Sequence, residues 1–162
     1  MFMNQGVDNV MDDIAWSIYS FFNILRRYVI FGAVQVISTI FSLAVDYVVG
    51  RIVDLKGRKA MQFGGLANVI LWIFRFFAKT NLQVYAINSW RGITGEFTGT
   101  SFNATSYEMA NQSRIVPFIV FREICIQMGK LVALFSLLMM PDVRYSFILG
   151  IAYSLVYVFV RF

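Results

Sequence analysis

Long apolar runs broken by short polar punctuation set the pattern of this chain. Tyr28–Val49, Ala60–Ala78, Leu82–Asn103, Pro117–Met140 and Tyr145–Val160 are each mostly apolar. Most are close to the roughly 20 residues that an α-helix needs to cross a hydrocarbon core about 30 Å thick. The stretch 2–25 is the outlier. Ile14–Leu25 is apolar but only about half the required length, so a span there must begin near Phe2 and take in Asp8, Asp12 and Asp13. Asp8 and Asp12, four residues apart, would share one helix face. Acids inside a membrane helix point to proton or cation handling by default; a solvated lead-in is the plainer reading and is preferred here. The pattern predicts an all-α, polytopic transmembrane bundle of five to six spans over 2–25, 28–49, 60–78, 82–103, 117–140 and 145–160, forming a single domain.

Composition agrees. The chain is 59% hydrophobic and 14% charged, against about 45–50% and about 25% for soluble domains. The formal charge of +5 does not indicate nucleic acid, because the basic residues gather at helix ends, where cytoplasmic anchoring accounts for them. With no His and one Cys, neither a zinc site nor a Cys–His nucleophile is expected, and Cys125 reads as a small packed residue. No catalytic pair and no cofactor motif is visible, so an enzyme is not expected. The acidic N-terminus gives no sign of a cleaved signal peptide. An inside N-terminus places Gly50–Lys59 and residues 104–114 in the cytoplasm, where Asn103-Ala-Thr105 and Asn111-Gln-Ser113 would not be glycosylated.

Between the second and third spans stands Gly50-Arg-Ile-Val-Asp-Leu-Lys-Gly-Arg-Lys59. It is glycine-punctuated and strongly basic, as a tight cytoplasmic turn requires. It resembles the loop between helices 2 and 3 of the major facilitator superfamily, G-x-L-A-D-R-x-G-R-R/K. Gly50, Asp54, Gly57, Arg58 and Lys59 match in register, and Leu55 departs from the usual Arg. The resemblance implies one half of a major facilitator fold, a six-helix bundle that pairs with a second half in the same or another chain. It also implies a gating latch in which Asp54 and Arg58 hold one closed state.

The fourth span carries the most chemistry. Arg91 lies near its midpoint, where a lone cation is costly. Thr94, Gly95 and Thr98 share its face, while Gly92, Glu96, Gly99 and Asn103 make a second polar stripe. Arg91-x-x-Thr94-Gly95 resembles the superfamily's helix 4 signature, with Thr94 replacing Gln, and implies an arginine in substrate binding or proton coupling. The alternative is an Arg91 buried against an acid of another helix. Glu96, about 140° round the same helix, is no obvious partner.

The remaining intramembrane polar groups extend that picture. Ser38, Ser42, Asp46 and Gly50 recur every four residues, a stripe that would admit another helix closely; Asp46 is either an interfacial group or a gating one. Glu123, Gln127 and Lys130 fall on one face of the fifth span and should point into the bundle. The glycine-proline motif associated with antiporters is missing, since Gly129 precedes Lys130. Arg75 and Lys79 should snorkel to headgroups.

The resemblance thus implies half of a secondary transporter in the cell membrane, a prokaryotic plasma membrane. It would move a small-molecule solute with H+ or Na+ through a midplane site of Arg91, Glu96 and Glu123, with Asp46 and Asp8 as further coupling candidates. The alternative is a non-transporting membrane assembly partner or a transporter remnant.

Overall fold

The computed structural model describes residues 1–112 and 114–159, with side chains omitted over 54–58. Among the described residues every regular element is helical. The N-terminal segment begins as α1 (Phe2–Val10), widens into a π-helical stretch over Met11–Trp16, tightens for one turn, α2 (Ser17–Ser20), and widens again over Phe21–Leu25. Arg26, in the left-handed region at φ 52°, ends it. Helical backbone then runs from Tyr28 to Phe77 (α3). The helices α4 (Asn81–Asn111), α5 (Ile115–Met139) and α6 (Ser146–Phe159) follow.

Helical backbone passes through Gly50–Lys59, where the sequence predicts a loop. Yet α3 is not a straight rod. Ser42 and Gly64 are 22 residues apart in sequence, so a straight helix would separate them by about 33 Å. Helix α4 nevertheless reaches Ser42 through Glu96 and Gly64 through the adjacent Phe97: the Ser42 hydroxyl donates to Glu96, and a Cβ on Gly64 would stand 2.9 Å from the Phe97 Cβ. Farther along, Ser38 bonds Asn88, and Arg75 shares an acid with Arg91. One limb of α3 therefore runs with α4 and the other against it. The limbs, Tyr28–Val53 and Lys59–Phe77, lie side by side, and Val49, Val53 and Ala60 close a small apolar core against Phe97. The latch residues Asp54, Gly57 and Arg58 lie outside the described side chains; Gly50 has open space at its Cβ position, and Lys59 is exposed.

Local chemistry fixes the other turns. Thr80 caps α4: its Oγ1 accepts from the Gln83 amide at 3.4 Å, while Gln83 Oε1 accepts from the Thr80 and Lys79 amides at 3.0 and 2.8 Å. This capping box starts a helix after a three-residue turn. Pro117 sits in the first turn of α5, where its missing N–H costs nothing. Met140, extended before Pro141, ends that helix as a pre-proline residue should.

Polarity is distributed inside-out. Asn4, Asp8, Asp12, Asn68, Arg75, Asn88, Thr94, Thr98, Ser101 and Ser154 are buried, whereas Val29, Leu43, Tyr47, Phe77, Leu82 and Leu138 stand more than two-thirds exposed. Soluble monomers seldom leave large contiguous apolar patches. Two helical limbs, Tyr28–Val53 and Lys59–Phe77, are long and apolar enough to cross a membrane; only 6% of the first limb's apolar window is covered, against 50% of the second's.

Candidate functional site: a charged cleft wall

The N-terminal segment is no solvated lead-in. Val7, Val10, Met11, Ala15, Trp16 and Tyr19 are buried in the main core, and Asp8 and Asp12 are buried with them. Its close seat on α5 depends on glycine at two places. A Cβ on Gly6 would overlap the Ile126 carbonyl, and one on Gly129 the Met3 carbonyl, so the two backbones touch where side chains would separate them. Widening of the helix over Met11–Trp16 places Asp12 and Trp16 toward α3 and α4. Such π stretches are frequent at functional sites.

Asp12 is the centre of the arrangement. Its Oδ1 is 2.5 Å from Arg75 Nη1 on α3, and its Oδ2 accepts from Arg91 Nε on α4. Asp8, one turn earlier, lies 4.0 Å from Arg91 Nη2. Two acids from one helix thus face two guanidinium groups from two others, and the set is neutral in sum. Neutrality is what makes burial tolerable, since an unpaired charge in a low-dielectric interior costs several kcal/mol. Arg75 is only 1% exposed and its Cζ lies 4.8 Å from the Trp16 ring and 4.2 Å from the Trp72 ring. The two indoles hold the cation between them by their negative faces. Trp72 in turn lies against Gly150 on α6, where a Cβ would come within 2.5 Å of the ring.

Arg91 is the group at the edge, with 23% of its side chain exposed. It folds back over Gly95, where a Cβ would overlap Nη1. That contact gives a physical reason for glycine four residues after the arginine. Beyond Arg91 opens a cleft of about 700 Å³ between the N-terminal segment, the first limb of α3 and α4, lined by Asp12, Asp13, Gln35, Ser38, Arg91 and Glu96 among others. Its far wall is tied by short polar contacts. Trp16 Nε1 donates to Asn88 Oδ1 at 2.7 Å, Ser38 Oγ donates to the Asn88 carbonyl at 2.8 Å, and Ser42 donates to Glu96. Gly92 lets the first limb of α3 approach, since a Cβ there would meet the Ser38 carbonyl at 2.6 Å.

The residues singled out from sequence separate into two groups. Arg91, Glu96 and Asp8 come together at or behind the cleft, and Arg91 takes acids of another helix as partners. Glu123 does not join them. Its side chain is 51% exposed, it makes a 3.9 Å ion pair with Arg122, and Gln127 is exposed beside it. The face of α5 that packs inward is Arg122, Ile126, Gly129 and Ala133, one residue out of step with the expected stripe. Asp46 is exposed and outside the cleft lining, because Val49 and Val53 take over contact with α4 after Ser42. Arg75, expected to snorkel, is among the most buried side chains in the molecule. Trp16, Asn68, Trp72 and Asn88 were not expected at the site, and Asp12 only as an acid sharing a helix face with Asp8. A signal existed for some of them: Asp8, Asp12 and Trp16 recur every four residues, and Asn68, Trp72 and Arg75 share one face of the following limb.

Among the described residues no group of three or more His, Cys, Asp or Glu side chains is placed to hold a metal ion. No protein-family model, no curated protein and no solved structure matches the chain.

Proposed function

We propose that this chain is one half of a secondary active transporter of the major facilitator type, embedded in the cell membrane as a bundle of five to six spans. It works beside a second half and moves a small solute by alternating access. The observation that carries the reading is the neutral set Asp12–Arg75–Arg91–Asp8 at the wall of a polar cleft about 700 Å³ in volume. Hydrocarbon would reject these groups singly, and their assembly beside an open polar space supplies a place where a solute can be held and released. The resemblances at Gly50–Lys59 and at Arg91-x-x-Thr94-Gly95 support the same family. Arg91, partly exposed and held by acids from another helix, is the residue best placed to exchange an internal partner for a solute. Glu96, on the same wall, is the second.

The test is solute uptake by the reconstituted assembly. Arg91→Ala should abolish uptake while leaving membrane insertion unchanged; wild-type uptake in that variant overturns the site. A non-transporting assembly partner is the second reading, favoured by the outward Glu123–Gln127 face, which lipid would not solvate. A lone, stable monomer that no solute stabilises would favour it.

A further inference from the structure

A second cavity, of about 360 Å³, opens between the second limb of α3 and α4, on a different face of α4 from the charged cleft. Its volume is that of a small-molecule pocket, but its lining is apolar apart from Gln83. Leu71 and Ile87 are its buried floor, and Phe74, Phe77 and Trp90 its exposed rim. The two helices run in opposite directions on either side of a short turn. Phe77 and Gln83 therefore stand at the end of the groove nearest the turn, and Leu71 and Trp90 at the other. Seven residues at 1.5 Å each separate those ends by about 10 Å.

The end at the turn is electropositive. Gln83 Oε1 accepts from the Lys79 amide at 2.8 Å, which fixes Lys79 beside the mouth of the groove. Lys79 is exposed and forms no ion pair among the described residues. No Asp or Glu occurs between Asp54 and Glu96, so neither wall carries an acid to match it. The same point is the N-terminus of α4, whose dipole favours an anion. An apolar slot that ends in an unmatched cation is complementary to an amphiphile with a hydrocarbon tail and an anionic head.

We propose that this groove holds one acyl chain of an anionic phospholipid, whose phosphate pairs with Lys79. The inference rests on the reading of the chain as membrane-embedded and goes beyond snorkelling, which brings a lysine to headgroups in general. Here the slot beside the lysine selects a single lipid and fixes its tail along the Lys79-to-Trp90 direction. A protein helix is a poorer occupant. At about 10–12 Å across with its side chains, it would ride on the Phe74 and Phe77 rings and leave the floor of the groove empty.

Trp90 reports occupancy. It is 48% exposed on the rim, whereas the other two tryptophans, Trp16 and Trp72, are 2% and 0% exposed. The purified full chain in detergent is titrated with phosphatidylglycerol brominated on its acyl chains, and separately with phosphatidylcholine carrying the same chains. Bromine quenches an indole that it touches. Quenching should saturate, with half-quenching at about fivefold less of the anionic lipid, the effect of one basic residue on an anionic headgroup. Lys79→Gln should erase that difference. Ala86→Phe, which puts a ring into the slot from an exposed position, should weaken quenching by both lipids. Equal half-points in the wild type overturn the proposal, as does an anionic preference that survives Lys79→Gln or full quenching in Ala86→Phe. Flotation of the same chain with uncharged vesicles reports the membrane reading by itself. A chain that floats yet fails the titration loses the lipid site alone, and one that stays behind loses both.

Discussion

On the cleft side, charges from the N-terminal segment, α3 and α4 meet head to head. Asp12 takes two guanidinium groups, and Arg75 is stacked between two indoles. On α5, four polar residues lie within nine positions, yet Glu123 and Gln127 face outward, while Arg122 reaches another helix, donating to Asn103 Oδ1 at 3.1 Å. Both regions put ionisable groups into apolar sequence, and what separates them is the supply of partners. Interior charges here are each matched by an opposite charge from another helix. The α5 acid has only its sequence neighbour, at 3.9 Å. A polar residue in an apolar helix is thus not by itself evidence of an inward face. The inward face is the one where small residues let backbones touch, and on α5 that is Gly129 and Ala133.

Removing the shared acid should break this contrast most severely. Asp12→Ala strands Arg75 in a low-dielectric interior and leaves Arg91 with Asp8 alone, and loss of one member of a buried pair costs about 3–5 kcal/mol. Against a total stability of about 5–15 kcal/mol, the variant should unfold at a markedly lower temperature or denaturant concentration. Glu123→Ala, measured alongside, should shift stability by under about 0.5 kcal/mol. Comparable losses in the two variants would show that the two regions are equivalent after all.

A steric change should come next in size. Gly129→Leu adds bulk where the Met3 carbonyl already touches the glycine, so α5 must move off α1. Overpacking of this kind costs about 1–3 kcal/mol. Gly99→Leu is the control, because nothing stands within 4 Å of its Cβ position, and its midpoint should stay near wild type. If the two glycines respond alike, the close approach of α1 and α5 is not what seats the N-terminal segment.

These comparisons also show which parts of the architecture can be read from a sequence. Helical class follows from long apolar runs, because hydropathy and length act locally, but helix bounds do not: helical backbone continues through Gly50–Lys59 and on to Asn111, where links are expected. Arg91, with Gly95 one turn on, could be recognised because both lie on one helix and the glycine makes room for the arginine. Arg75 could not. Its place near a helix end fits snorkelling equally well, and what decides its burial is Asp12, 63 positions away, together with an indole from each side. The same holds for Asp8 and Asp12, whose segment is too short in apolar residues to read as part of the core until the arginines that neutralise its acids are known. On α5 the failure was rotational. Stripes one residue apart differ by about 100° around the axis, and only the partner helix selects between them.

The smallest expected effect sharpens the comparison at its weaker side. If the outward Glu123 meets a second bundle, then the acid is a contact in the pair and a burden in the isolated chain, where lipid must accommodate it. Glu123→Leu should therefore leave the lone chain as stable as wild type or slightly more so, since it removes an ionised side chain from an apolar helix face. The same change should weaken pairing, because polar contacts between membrane helices are worth about 0.6–1.7 kcal/mol, or about three- to tenfold in the dissociation constant. Energy transfer between labelled chains diluted in lipid measures the pairing, and thermal melting measures the chain. Opposite signs in the two readouts place a protein partner over Glu123. If pairing is unchanged while the chain is stabilised, the acid faces lipid or water, and α5 carries no pairing surface.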